Sequence, residues 1–210
     1  MSPTIPVRSH AVLEVTAVAL TALLHVIFYD VLHARGVFIV VTILAWSTYF
    51  ALRIRQGPDS RREYGLTTDG LRSSAIATLV VFLIGGAICM AYALSRGRLV
   101  LVPSMLIVAL LYPIWGLLQQ LLVQTMVVRN LAPHISRPVV VVVAAILFGA
   151  VHLPDPTLTV VTAVLGGALT LIFMRWRNIW PLGVCHGWLG VLFYYWVLHR
   201  DPWLEIITKT

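Results

Sequence analysis

Trp115-Gly116-Leu117-Leu118-Gln119-Gln120-Leu121-Leu122-Val123-Gln124 sets three amides inside an otherwise apolar helix. Gln120 and Gln124 are four residues apart and share a helical face, with Gln119 about 100° round the barrel from Gln120. An amide without a partner is expensive in hydrocarbon, so all three need partners inside the protein. Two other apolar stretches supply candidates, one carrying His152 and the other His186.

Working outward from that helix, the composition fixes the class. Of 210 residues, 60% are hydrophobic and 11% charged, with a mean hydropathy of +0.92. Soluble domains carry about 25% charged residues. The expectation is therefore an all-α, polytopic membrane helix bundle, with residues 1–210 forming a single integral membrane domain in the lipid bilayer. The net charge is +7, but Lys and Arg fall in short segments between apolar runs. That is membrane-flanking charge, and it argues against a nucleic-acid partner. Cys89 and Cys185 lie in apolar stretches and read as buried free thiols.

Apolar runs place spans at about 11–34, 37–54, 73–94, 99–130, 138–153, 157–174 and 178–198. That makes seven, or eight if the long fourth segment with its internal Pro113 is broken or re-entrant. The first span is unusually polar. His25, Tyr29 and His33 follow at i, i+4 and i+8, while Glu14 and Asp30 lie elsewhere on that helix. The loop from Arg53 to Arg72 is too polar for the bilayer and is expected at its interface. Lys and Arg number ten on the N-terminal side and five on the other, which predicts a cytoplasmic N-terminus. No cleavage-site pattern follows the first apolar run, which therefore reads as a retained span.

Phe148-Gly149-Ala150-Val151-His152 closes the fifth span, and Asn178-Ile179-Trp180-Pro181-Leu182-Gly183-Val184-Cys185-His186 opens the seventh. With the glutamine helix before them, their order and spacing resemble the CPBP family of intramembrane peptidases. That family includes the CAAX prenyl-proteases and proteins linked to bacteriocin self-immunity. Its signature is Glu-Glu-x-x-x-Arg, then Phe-x-x-x-His, then His-x-x-x-Asn, on three transmembrane helices. Phe148, His152, His186 and the lead-in from Arg175 to Pro181 match. Gln119 and Gln120 stand at the two glutamates, Gln124 at the arginine and Gly190 at the asparagine. The layout is shared over about residues 60–195, and it places a polar site between spans 4, 5 and 7.

The resemblance implies a glutamate and a histidine activating water, with a second histidine and the asparagine holding the oxyanion. Carried over, the catalytic candidates are His152, His186, Gln119 and Gln120. Gln124, Phe148, Trp115 and Trp188 are the substrate-binding candidates, for a hydrophobic or lipid-bearing substrate. A glutamine takes up no proton at any relevant pH, and loss of a general base typically costs about 10²–10⁴ in rate. Three readings follow. One is an intramembrane peptidase-like protein that binds a hydrophobic or lipidated segment without cutting it. The second is an enzyme of altered chemistry, in which His152 and His186, with His25, Asp30 or His33, hold zinc or iron. The third uses amides and histidines only as interhelical contacts in a protein that binds a partner membrane protein. In each, a prokaryotic cytoplasmic membrane is the expected location.

Overall fold

A computed structural model describes residues 7–32 and 34–208, without the side chains of residues 7–10, 29, 30, 35 and 208. His33 and the side chains of Tyr29 and Asp30 lie outside the described residues. The described residues are helical and contain no strand. α1 (Val7–Val26) continues as a π-helical segment, Ile27–Val31, and is followed by α2 (Arg35–Ile54), a short α3 (Pro58–Glu63) and α4 (Leu71–Ser95). α5 (Pro103–Gln120) runs through a π-helical segment, Leu121–Val128, into α6 (Arg129–Leu131). α7 (Arg137–Ala150) and α8 (Pro156–Trp176) precede α9 (Trp180–Leu192), which widens into π-helical Phe193–Val197 before α10 (Pro202–Thr208).

The sequence sets these boundaries locally. Proline stands in the first turn of α3, α5, α7, α8 and α9, where its missing N–H is lost to no hydrogen bond. Asp155 caps α8, its Oδ1 accepting from the Leu158 N–H at 3.0 Å. α8 stops at Arg177, which adopts a left-handed φ of 46°.

Four helices are long and apolar enough to cross a membrane: Gly36–Ile54, Leu71–Ser95, Pro103–Leu131 and Pro156–Trp176. The expected first, fifth and seventh spans coincide with shorter apolar helices, Ala11–Val26, Arg137–Ala150 and Trp180–Leu192. Thirteen α-helical residues rise only about 20 Å, against a hydrocarbon core of about 30 Å. The outer faces of the long helices are strongly apolar, with Leu110 77% and Leu106 71% exposed, as contact with lipid tails requires.

The tightest contact in the bundle is between α5 and α9, and it is made by backbone. A Cβ on Gly116 would lie 2.5 Å from the Gly183 carbonyl oxygen, and one on Gly187 would lie 2.6 Å from the backbone of Tyr112 and Pro113. Rising residue numbers on α5 meet falling ones on α9, so the pair is antiparallel. Small residues allow this approach, and close packing drives helix association where lipid removes the hydrophobic effect. Pro113 thus sits where its helix is pressed against its neighbour's main chain.

Polar groups collect at the two ends of the bundle. At one end the 55–72 segment folds back over α8 and α9. The Asn178 side chain donates to the carbonyls of Thr67 and Asp69, and the Ile179 N–H donates to Gly65. Glu14, 5% exposed, accepts from Arg129 and Asn130 at 2.7 Å each and from the Tyr49 hydroxyl, with Arg53 at 3.7 Å. At the other end Asp201 accepts from the hydroxyls of Ser104 and Tyr195. There Arg200 forks onto Glu205 at 2.7 and 2.8 Å.

Candidate functional site

Phe148 is the hinge of the candidate site. Its side chain is 1% exposed and fits only because position 166 on α8 is glycine, where a Cβ would come within 2.7 Å of the Phe148 Cβ. The ring stands edge-on to the His186 imidazole at 4.9 Å between centroids and tilted to that of His152 at 5.8 Å. Two histidines from different helices are thereby held beside one aromatic ring. His152 sits in the turn that ends α7, and its Nδ1 lies 2.8 Å from the Phe148 carbonyl oxygen. A carbonyl only accepts, so Nδ1 carries the proton and Nε2 keeps its lone pair. His186 is 7% exposed, and its Nδ1 is buried without a hydrogen-bond partner.

Both histidines line a cavity of about 1800 Å³, together with Gln119, Trp115, Phe148 and His25. Aliphatic residues of α2, α4, α5 and α8 supply most of its wall. Asp155 lines it as well, and is the sole carboxylate among the lining residues. That carboxylate is already engaged, since Oδ1 caps α8 and Oδ2 lies 3.7 Å from Arg200. It therefore does not stand in for a free base beside Gln119.

Gln120 and Gln124 point away from the cavity. Both are 0% exposed, and the Gln124 amide donates to Gln120 Oε1 and to the Thr170 hydroxyl oxygen, each at 3.1 Å. They share a face as the sequence spacing requires, at the junction of α5 with its π-helical continuation. Gln120 Nε2 and Gln124 Oε1 remain buried without partners. A single N–H···O contact between two amides always leaves one donor and one acceptor over. Trp188 lies apart, 45% exposed on the outside of α9, with its indole N–H donating to the Ala109 carbonyl at 3.0 Å.

The structure thus brings Gln119, Trp115, Phe148, His152, His186 and His25 to one cavity, places Gln120 and Gln124 behind its wall, and turns Trp188 outward. Among the described residues no group of three His, Cys, Asp or Glu side chains is arranged to hold a metal ion. Asp30 and His33, the other ligand candidates, fall outside the described side chains. Sequence reasoning missed Thr170, which carries no motif, and the Asp155–Arg200 pair, whose members are far apart in the chain. Asp155 offered one signal, its place between two prolines three residues after His152.

Gly190 lines the same cavity. A Cβ there would sit 3.5 Å from the Tyr112 ring, in ordinary contact. Residues 101–192 match the family described as Type II CAAX prenyl endopeptidase Rce1-like. The matched segment runs from the start of α5 to the end of α9. It contains the α5–α9 glycine contact, Phe148 and both histidines. No curated protein and no solved structure matches the chain. Over residues 101–192 the protein is similar to that family, and four of its helices are long and apolar enough to cross a membrane.

Proposed function

We propose that the protein binds a hydrophobic or lipid-bearing segment in the cavity beside His152 and His186, and that it lacks glutamate-dependent proteolysis. The observation that carries this reading is the split fate of the glutamine helix. Gln119 lines a large apolar cavity, as a base over a substrate would. The second glutamate and the arginine are replaced together, by an amide pair that bonds to itself and to Thr170. An ion pair buried at this depth carries a heavy desolvation cost, and a pair of amides keeps hydrogen bonds without it. The binding cavity is kept while the proton acceptor is gone. A pocket of this size suits a long apolar ligand, with few polar groups to orient it. In this reading α1, α2, α4, α5, α7, α8 and α9 all cross a prokaryotic cytoplasmic membrane, the short ones where the protein thins or indents the bilayer.

Restoration tests it. The wild-type protein should crosslink a photoactivatable lipidated peptide without cleaving it, and His152→Ala with His186→Ala should reduce that crosslinking. The variant carrying Gln119→Glu, Gln120→Glu, Gln124→Arg and Gly190→Asn should gain peptide cleavage. The Cβ space at Gly190 makes the last exchange tolerable. Cleavage by the wild-type protein at a rate matching the restored one would overturn the reading.

A further inference from the structure

Among the described residues only two side chains lining the cavity carry a fixed charge, Asp155 and Arg200. Both are spent. Asp155 caps α8 and lies 3.7 Å from Arg200, which also forks onto Glu205. The lining hydroxyls of Thr21 and Thr162 donate to carbonyls of their own helices, those of Ala17 and Leu158. The polar atoms around the two histidines divide into sealed and open. His186 Nδ1, Gln120 Nε2 and Gln124 Oε1 are sealed in the packing without partners. His152 Nε2 and the Gln119 amide are not sealed, and they have no hydrogen-bond partner among the described residues. Both residues line the cavity, so these are the groups that a ligand meets.

The two open groups make different demands. Gln119 presents an N–H and a carbonyl, so it can pair with an acceptor or a donor. His152 is selective. Its Nδ1 donates to the Phe148 carbonyl at 2.8 Å, which leaves Nε2 with a lone pair and no proton. A donor on the ligand satisfies that lone pair, whereas an ether or ester oxygen meets it lone pair to lone pair. A carboxylate does the same, and it brings a charge to a wall whose one cation is already paired.

We infer that the cavity selects an apolar chain bearing a neutral hydrogen-bond donor, a hydroxyl or an amide N–H, which binds at His152 Nε2. The inference rests on the reading above that the cavity is the ligand site, and it adds which ligands that site keeps. Hydroxyl and amide share the donor chemistry, and each also carries an acceptor for the Gln119 N–H. Ethers, esters and ionised fatty acids with the same chain fit the apolar wall as well but lack the donor. His152 is thus the specificity-determining residue of the cavity, and the apolar wall sets only the length and bulk of what enters.

Competition in lipid nanodiscs tests this, with crosslinking of the photoactivatable lipidated peptide as the readout. Alkyl chains of one length compete in matched pairs, alcohol against methyl ether and N-methyl amide against N,N-dimethyl amide, with the carboxylate alongside. The alcohol and the N-methyl amide should each block crosslinking about tenfold more strongly than their donor-free partners, the scale of leaving one acceptor unpaired. The carboxylate should compete no better than the ether. His152→Phe keeps a ring but removes the lone pair, and it should level the members of each pair. If that variant fails to fold, the wild-type pairs decide alone. A preference within one pair only supports the inference and identifies the donor as hydroxyl or amide. Equal competition within both pairs, a carboxylate at the level of the alcohol, or a preference that survives His152→Phe would overturn it and leave the cavity reading standing. Failure of every chain to compete would overturn that reading as well.

Discussion

Two buried polar clusters of this protein solve the same problem in opposite ways. At the end of the bundle covered by residues 55–72, Glu14 is fully partnered, with Arg129, Arg53, Asn130 and Tyr49 around it and Tyr64 stacked under Arg129 at 4.9 Å. Deep beside the cavity, Gln120, Gln124 and Thr170 are neutral, and two of their polar atoms are left over. Where loops meet the membrane surface, water and further donors are within reach and full charges are affordable. In the apolar centre a charge costs more than an imperfect amide contact. The first cluster fastens helices, and the second, in the proposed reading, takes the place of a charged pair.

The largest effect should come from breaking the ionic cluster. Glu14→Ala strands Arg129 and Arg53, and unfolding in mixed micelles should show a loss of about 3–5 kcal/mol. Glu63→Ala removes only the exposed partner of Arg129 and should cost under about 1 kcal/mol by the same measurement. Equal losses would mean that the network is held at its rim and not at Glu14.

The amide cluster predicts a smaller and non-additive effect. Gln124→Leu leaves Gln120 without its partner and should destabilise by about 1–3 kcal/mol, whereas Gln120→Leu together with Gln124→Leu should cost less than either exchange alone. A double mutant at the sum of the singles would show that the two amides act independently.

The smallest effect is a dependence on pH, and it belongs to neither cluster. Asp201 lies outside the membrane-spanning segments. Burial raises its pKa, but donation from Ser104, Tyr195 and the N–H groups of Leu204 and Trp203 outweighs this, and the carboxyl is held below its usual range. A depressed carboxylate stabilises the fold above its unfolded pKa of about 3.9 and loses that contribution as the pH falls through the folded value. Trp203 fluorescence should therefore report loosening of α10 below about pH 4, and Asp201→Asn should abolish that transition. A transition below about pH 4 that survives Asp201→Asn would show that another group reports it.

The sequence made the helices legible because each apolar run is bounded by proline, glycine or arginine. The expected spans fall within a few residues of α2, α4, α5 and α8. Their capacity to cross was less legible, since apolar residues at 138–153 and 178–198 continue into turns and π-helical segments that shorten the regular helix. At the site, His152, His186 and Gln119 were readable from motif order alone. Which glutamine faces the cavity was not, because adjacent residues on a helix point about 100° apart and only packing against Thr170 decides between them. Glu14 was visible as an isolated charge in an apolar run. Its partners come from α2 and α6, separations that no local pattern encodes.

The glycine contact between α5 and α9 has a wider consequence. Gly116, Gly183 and Gly187 press main chain on main chain, so the spacing of the two helices that carry Gln119 and His186 does not depend on what side chains line the cavity between them. Chassis and payload are separate parts of this molecule. A protein engineer could rewrite positions 119 and 190 for binding, hydrolysis or sensing and expect the same frame to fold around each choice.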